Sequence, residues 1–149
     1  SASYKGYDFS IFMQGVARTS FFINPNDISP FVNERNALDV IADNHWSINN
    51  PDPNAFWPRL STYAIANNEE QSTWWQRDGD FLRLKNVEIG YTFPDRSSGL
   101  FTGLNTRIYF TGLNLLTFSK FDLWDTEMGG NGLGYPPQKV YNIGLQVSF

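Results

Sequence analysis

The chain is predicted to be all-β and built of antiparallel strands, and three observations predict it. Several runs alternate apolar residues with polar or small ones, the period of a strand, whose successive side chains point to opposite faces. Aromatic residues are abundant, with 13 Phe, 7 Tyr and 5 Trp among 149 residues, and these types favour sheet. No apolar run approaches the roughly 20 residues of a membrane-spanning helix. Composition narrows the function classes further. A hydrophobic content of 41% excludes a disordered chain. A net charge of -4 without a basic cluster argues against a nucleic-acid groove. The absence of cysteine removes disulfides and thiolate metal sites.

The first strand is expected at about 4–15, with Tyr7, Phe9, Ile11 and Met13 on one face and Asp8, Ser10 and Gln14 on the other. Over 16–73 the alternation is lost, and Pro25, Pro30, Pro51, Pro53 and Pro58 mark a long loop. A loop of this length in a compact domain is normally functional. Within it a short helix is expected over 30–43. Ser29 suits its N-cap, Pro30 suits its first position, and Phe31, Leu38, Ile41 and Ala42 make an apolar stripe.

A second strand is expected at 74–93, setting Val87, Ile89, Tyr91 and Phe93 against Asn86, Glu88 and Thr92, with Pro94 ending it. Arg83 and Lys85 share the parity of the apolar set. Should the strand cross a membrane, they are expected at or beyond its outer interface, meeting lipid phosphates or carboxylates of neighbouring strands. A short turn over 95–103 leads to a third strand at 104–116. There Ile108, Phe110 and Gly112 oppose Arg107, Tyr109 and Thr111, and the phase slips at Leu113, which predicts a bulge. A second long loop covers 117–137. The closing strand at 138–149 puts Tyr141, Ile143, Leu145, Val147 and Phe149 on one face, and Asn142, Gly144, Gln146 and Ser148 on the other.

Such alternation fits a soluble sandwich, with one face on a core, or a transmembrane barrel, with one face on lipid. The loops favour the barrel, because connections that run long, short, long match barrels with long extracellular loops and short periplasmic turns. Strand length agrees. About eight steps of about 3.3 Å, tilted by about 40°, carry the closing strand roughly 20 Å across an apolar band of roughly 25 Å. Tyr141, Ile143, Leu145, Val147 and Phe149 are therefore expected to face lipid.

The run from Asp80 through Arg83, Asn86, Gly90 and Tyr91 to Pro94 closely resembles a strand near the end of SusC/RagA-family TonB-linked outer-membrane proteins. Other pieces agree in order: Tyr4 to Gly15 resembles an earlier strand, Asn54-Ala55-Phe56-Trp57-Pro58-Arg59-Leu60 a loop motif, Thr111 to Phe118 the penultimate strand's end, and Tyr135 to Phe149 the last strand. One departure is Trp124-Asp125-Thr126-Glu127, where relatives often carry Asp-Pro-Glu. The resemblance implies a plugged barrel of about 22 strands that imports oligosaccharides or peptides, driven by TonB, under a SusD-like lipoprotein. Its place would be the outer membrane of a Gram-negative, Bacteroidetes-like bacterium. This chain would supply the last four or so strands, with Phe149 as an assembly signal. The plug and N-terminal barrel lie outside it, and no cofactor is implied.

For chemistry the sequence offers little. His45 is the sole histidine and has no second histidine or cysteine for a metal site. Asp122, Asp125 and Glu127 lack calcium-loop spacing, and no Gly-x-Ser-x-Gly nucleophile signature occurs. Trp46, Trp57, Trp74, Trp75 and Trp124 lie in or beside the long loops, where ring faces suit sugars or loop packing. Trp74 and Trp75, as strand neighbours, are expected to point to opposite faces. The alternative function is a soluble all-β carbohydrate-binding module using these rings; a glycoside hydrolase fragment ranks third.

Overall fold

A computed structural model describes residues 1–94 and 105–148. They form two compact units: residues 1–17, 81–119 and 137–149 make the first, and residues 18–80 and 120–136 the second. The predicted turn over 95–103 and Phe149 lie outside the described residues. Among the described residues, no helix is long and apolar enough to cross a membrane.

The first unit is one antiparallel sheet. Its strands are β1 (Ala2–Tyr4), β2 (Tyr7–Val16), β5 (Phe81–Thr92), β6 (Asn105–Ser119) and β7 (Val140–Ser148), in the order β1-β2-β5-β6-β7. Strand β1 was not foreseen; it forms a hairpin with β2 through Lys5 and Gly6, with φ of 47° and 88°. Two consecutive positive φ values give the tight turn whose twist matches a hairpin. At Gly6 a side chain would also meet the Thr92 carbonyl oxygen at 2.7 Å. Strand ends match in register, Val16 with Phe81 and Phe81 with Ser119. The long connections therefore leave from one end of the sheet and the Lys5-Gly6 turn from the other.

The bulge predicted near Leu113 is present. Asn86 pairs with Leu113 but Leu84 with Leu116, so the register shifts at this point. Asn114 takes a φ of 53°, and its side-chain amide donates to the Gln138 carbonyl at 2.9 Å. On the other side Phe12 pairs with Asn86 and Met13 with Leu84, leaving Lys85 as the extra residue of β5. A one-residue insertion inverts which side chains face which way. Leu84 and Leu82 therefore continue the apolar face, and Arg83 falls on the opposite one. This corrects the expected placement of Arg83 at a lipid interface: its side chain is buried, with 1% exposure.

The second unit holds all the buried hydrophobic side chains found among the described residues, including Ile23, Ile28, Ile41, Phe56, Trp75 and Phe121. Its regular elements are short: β3 (Ser20–Phe22) pairs with β4 (Gln76–Asp78), α1 (Pro25–Ile28) and α2 (Asp39–Asp43) give Ile28 and Ile41 to the core, and α3 (Ala66–Glu69) lies against α1. The helix expected over 30–43 is reduced to a 3-10 turn at Val32–Glu34 and to α2. Asn24, not Ser29, caps a helix here, accepting from the Asn26 amide at 3.3 Å with Pro25 at the first position. Ser29 is buried and donates its hydroxyl to Glu69 at 3.1 Å. Phe31 adopts a φ of 63°, a left-handed conformation that breaks the helix. Arg35 folds back onto the Asn26 and Asp27 carbonyls at 2.8 and 3.0 Å.

The strand expected over 74–93 is likewise divided. Thr73–Trp75 is a 3-10 turn, and β4 belongs to the second unit. The Asp80 amide donates to the Asp78 carboxylate at 2.9 Å and the Gly79 amide to the Thr19 carbonyl at 3.0 Å. These bonds satisfy the turn's amides and separate β4 from β5.

Candidate functional site

One face of the five-stranded sheet is apolar across every strand. Leu145, Ile108, Tyr91, Tyr7 and Tyr4 stand in one row, and Ile143, Phe110, Ile89, Phe9 and Ala2 in the next. Beyond the bulge the face continues through Met13, Leu84 and Leu116, then Leu82 and Phe118. These side chains are uncovered: Ile143 is 79% exposed and Leu145 66%. From Ile108 to Phe118 the face extends about 25 Å at the usual rise and barrel tilt. Aromatic rings gather at the hairpin-turn end, Tyr7 lying 4.5 Å from Tyr91 and Tyr91 lying 5.0 Å from Phe93 between centroids. Tyr141 stacks with Phe110 at 6.3 Å.

The opposite face is polar toward the Lys5-Gly6 turn, carries Phe12, Leu113 and Val140 around Asn86 and then Val16 and Phe81 toward its other end, and contains a feature missed in the sequence reading. Arg107 on β6 reaches across β5 to β2. Its Nε donates to Asp8 Oδ1 at 3.0 Å, and its Nη2 bonds both Asp8 Oδ2 and, at 2.7 Å, Glu88 Oε1. Three strands are thereby tied by one guanidinium, whose planar fork suits paired carboxylates. Gly90 makes the reach possible: a β-carbon there would sit 2.6 Å from Asp8 Oδ1 and 2.7 Å from Arg107 Nε. Gly144 plays the same part for the Tyr109 ring. The available signal was two glycines interrupting polar strand faces in register with large side chains.

The tryptophans of the second unit separate into distinct roles. Trp57 and Trp75 are core residues, 3% and 1% exposed, with ring centroids 5.0 Å apart. Trp74 packs against the same core, so the two neighbours are not divided between opposite faces as expected for a strand. Trp124 packs edge-on against Phe121 at 4.9 Å and donates its indole N–H to the Gly129 carbonyl at 2.8 Å, and Gly132 lies against its ring. Trp46 is half-buried and joined through its amide to the Trp57 carbonyl at 2.9 Å. Trp74, also half-buried, lines two open clefts, of about 460 Å³ and 260 Å³.

His45 closes α2, its Nδ1 lying 3.1 Å from the Ile41 carbonyl and 2.9 Å from that of Ala42. Asp125 caps the Thr126–Met128 turn by accepting from the Glu127 amide at 3.0 Å. The second loop is joined to the first at Lys120, whose ammonium donates to Asp78 at 2.9 Å. The Asp80 amide and the Lys120 ammonium hold the Asp78 carboxyl below its ordinary range, and Asp78 raises Lys120 in return.

No protein-family model matches the chain. A protein described as TonB-dependent receptor P26, from Formosa agariphila, is 29% identical over 168 residues, covering 99% of this chain and 16% of the relative. TonB-dependent receptor P3 of the same organism is 34% identical over 87 residues, covering 48% of this chain and 9% of its own. Among solved structures, the RagAB peptide transporter matches 99% of this chain with a TM-score of 0.73 at 25% identity. The RagAB peptide importer in its open-open state matches with a TM-score of 0.69 at 23% identity. The chain spans 16% of each of those solved chains, as it does of the P26 receptor.

Proposed function

We propose that this chain, a segment of a TonB-dependent receptor of the SusC/RagA type, supplies the C-terminal wall of an outer-membrane importer. Tyr141, Ile143, Leu145 and Val147 face lipid in this reading. The cargo is an oligosaccharide or a peptide, received through the loop unit beneath a SusD-like lipoprotein. TonB engages a part of the protein outside this segment. The host is a Gram-negative, Bacteroidetes-like bacterium. The segment acts as transport structure and not as a catalyst.

The observation that carries the reading is the uncovered apolar face, unbroken over five antiparallel strands, set against a face whose hairpin-turn end carries an ion-paired network. An apolar patch of this extent on a soluble monomer marks an interaction surface or an aggregation hazard. A soluble carbohydrate-binding module would cover it with a second layer, whereas Ile143 and Leu145 stand exposed. The test is fractionation of cells making the full-length protein, with an epitope tag inserted after Asp52. Recovery in the outer-membrane fraction with the tag reachable on intact cells is expected. Recovery as soluble protein, or a tag reached only after lysis, would refute the reading.

A further inference from the structure

We infer that Asn131 is a site of spontaneous covalent modification, converted through a cyclic imide with Gly132 into aspartate and isoaspartate, and that the fold selects it over the chemically similar pair Asp78-Gly79. The inference lies outside the importer reading and holds for any cargo. An asparagine or aspartate followed by glycine is the pairing most open to this reaction, because glycine has no β-carbon to keep its backbone nitrogen from the preceding side-chain carbonyl. The sequence contains one Asn-Gly pair, Asn131-Gly132, and one Asp-Gly pair, Asp78-Gly79, both in the loop unit.

The fold separates them. At Asp78-Gly79 every reacting group is engaged: the Gly79 amide donates to the Thr19 carbonyl at 3.0 Å, and Asp78 accepts from the Asp80 amide through Oδ1 and from Lys120 through Oδ2, both at 2.9 Å. The attacking nitrogen is thereby tied to Thr19. The same partners favour the ionised carboxyl, and a carboxylate resists nucleophilic attack. Asn131 is exposed, and among the described residues neither its side-chain amide nor the Gly132 N–H makes a hydrogen bond. Two bonds shape this turn, from the Asn131 amide to the Met128 carbonyl and from the Gly134 amide to the Asn131 carbonyl. Each is 3.2 Å, at the long end of the range, and neither uses a reacting atom. Gly129, Gly130, Gly132 and Gly134 surround the site and widen its backbone freedom.

In the reaction the Gly132 nitrogen gives its proton to solvent and attacks Asn131 Cγ. The new N–Cγ bond replaces the Cγ–Nδ2 bond, and Nδ2 takes up a proton and leaves as ammonia. Water then opens the imide, giving aspartate by attack at Cγ and isoaspartate by attack at the backbone carbonyl. Both products place a carboxylate where a neutral amide stood, and isoaspartate also lengthens the main chain by a methylene. Next to the site the Gly130 carbonyl accepts from the Asn24 amide at 3.2 Å, and Gly132 lies against the Trp124 ring. Conversion therefore loosens the second loop's hold on the first.

The test incubates purified full-length protein in neutral buffer, folded and in parallel unfolded in urea, then digests it and follows the peptides by mass and by labelling with an isoaspartyl methyltransferase. In the folded protein the Asn131 peptide should show the mass shift of an amide-to-acid change and take up label, and the Asp78 peptide should stay unlabelled. In urea both should be labelled. Asn131→Gln should lose the shift and the label at this position, and after ageing it should resist proteolysis within 120–136 better than the aged parent. An intact Asn131 in the folded protein, labelling of Asp78 in the folded protein as strong as in urea, or equal proteolysis of the aged parent and the aged variant would overturn the proposal.

Discussion

A lysine placed on the apolar face should be damaging in proportion to its depth, and Ile143 is the position to use. It is the most exposed of the apolar residues on β7, at 79%, so its replacement disturbs no core. The face runs from the Val147 pair with Thr106, through the Leu145, Ile143 and Tyr141 rows, to the Leu82 pair with Phe118. Successive rows are about 5 Å apart along the membrane normal, taking a rise of about 3.3 Å per residue and a tilt of about 40°. Ile143 then lies within a few ångströms of the middle, and Val147 roughly 12 Å from it. Lysine at the midplane of a barrel costs about 2–4 kcal/mol, falling to about 0–1 near the interface. Ile143→Lys should therefore sharply reduce heat-modifiable, folded full-length protein in the outer membrane. Leu145→Lys should reduce it less, and Val147→Lys least. Asn142→Lys, on the polar face, should leave the yield near that of the parent. Equal tolerance of Ile143→Lys and Asn142→Lys, or a Val147→Lys defect as deep as that of Ile143→Lys, would refute the lipid-facing assignment.

Gly90→Ala should displace the guanidinium that ties β2, β5 and β6, because the added carbon falls within 2.7 Å of Arg107 Nε. If that is its whole effect, the denaturation midpoint of Gly90→Ala with Arg107→Gln equals that of Arg107→Gln alone. Phe121→Ala removes a core ring contributed by the second loop and should cost about 3–5 kcal/mol, read as faster proteolysis in both 18–80 and 120–136. Asp78 carries a pH dependence of known sign. Its carboxyl is held below the ordinary value of 3.8 by the Asp80 amide and Lys120, so its stabilising effect is complete above that value and is lost as pH falls through the depressed one. Proteolysis of the loop unit should accelerate over that acid range, and Asp78→Asn should flatten the dependence.

The alternation of β2, β5, β6 and β7 was legible because each strand meets two different environments, and a period of two records that directly. The bulge beside Leu113 was legible as a slip in phase. Its partner at Lys85 was not, since Leu82, Arg83 and Leu84 scan acceptably in either parity and only the pairing to Met13 and Leu116 decides. The hairpin at Lys5-Gly6 escaped because β1 has three residues, too few to show a period. The helix over 30–43 had a plausible cap and stripe, but the burial of Ser29 and the left-handed Phe31 are tertiary choices that outweigh local propensity. Asp78-Gly79-Asp80 is a turn signature, and it ends β4 although apolar residues flank it on both sides. The Asp8–Arg107–Glu88 network joins residues from three strands and becomes visible only once register is known.

In the proposed barrel wall one sheet face meets lipid and the other does not. Single cysteines placed in turn at positions 141–148 of the full-length protein in the outer membrane, each carrying a nitroxide, test it through accessibility to oxygen and to a water-soluble nickel chelate. A period of two is expected: Tyr141, Ile143, Leu145 and Val147 sites rich in oxygen contact and shielded from nickel, and Asn142, Gly144, Gln146 and Ser148 sites lacking that signature. A profile without alternation, or with the even positions in lipid, would contradict it.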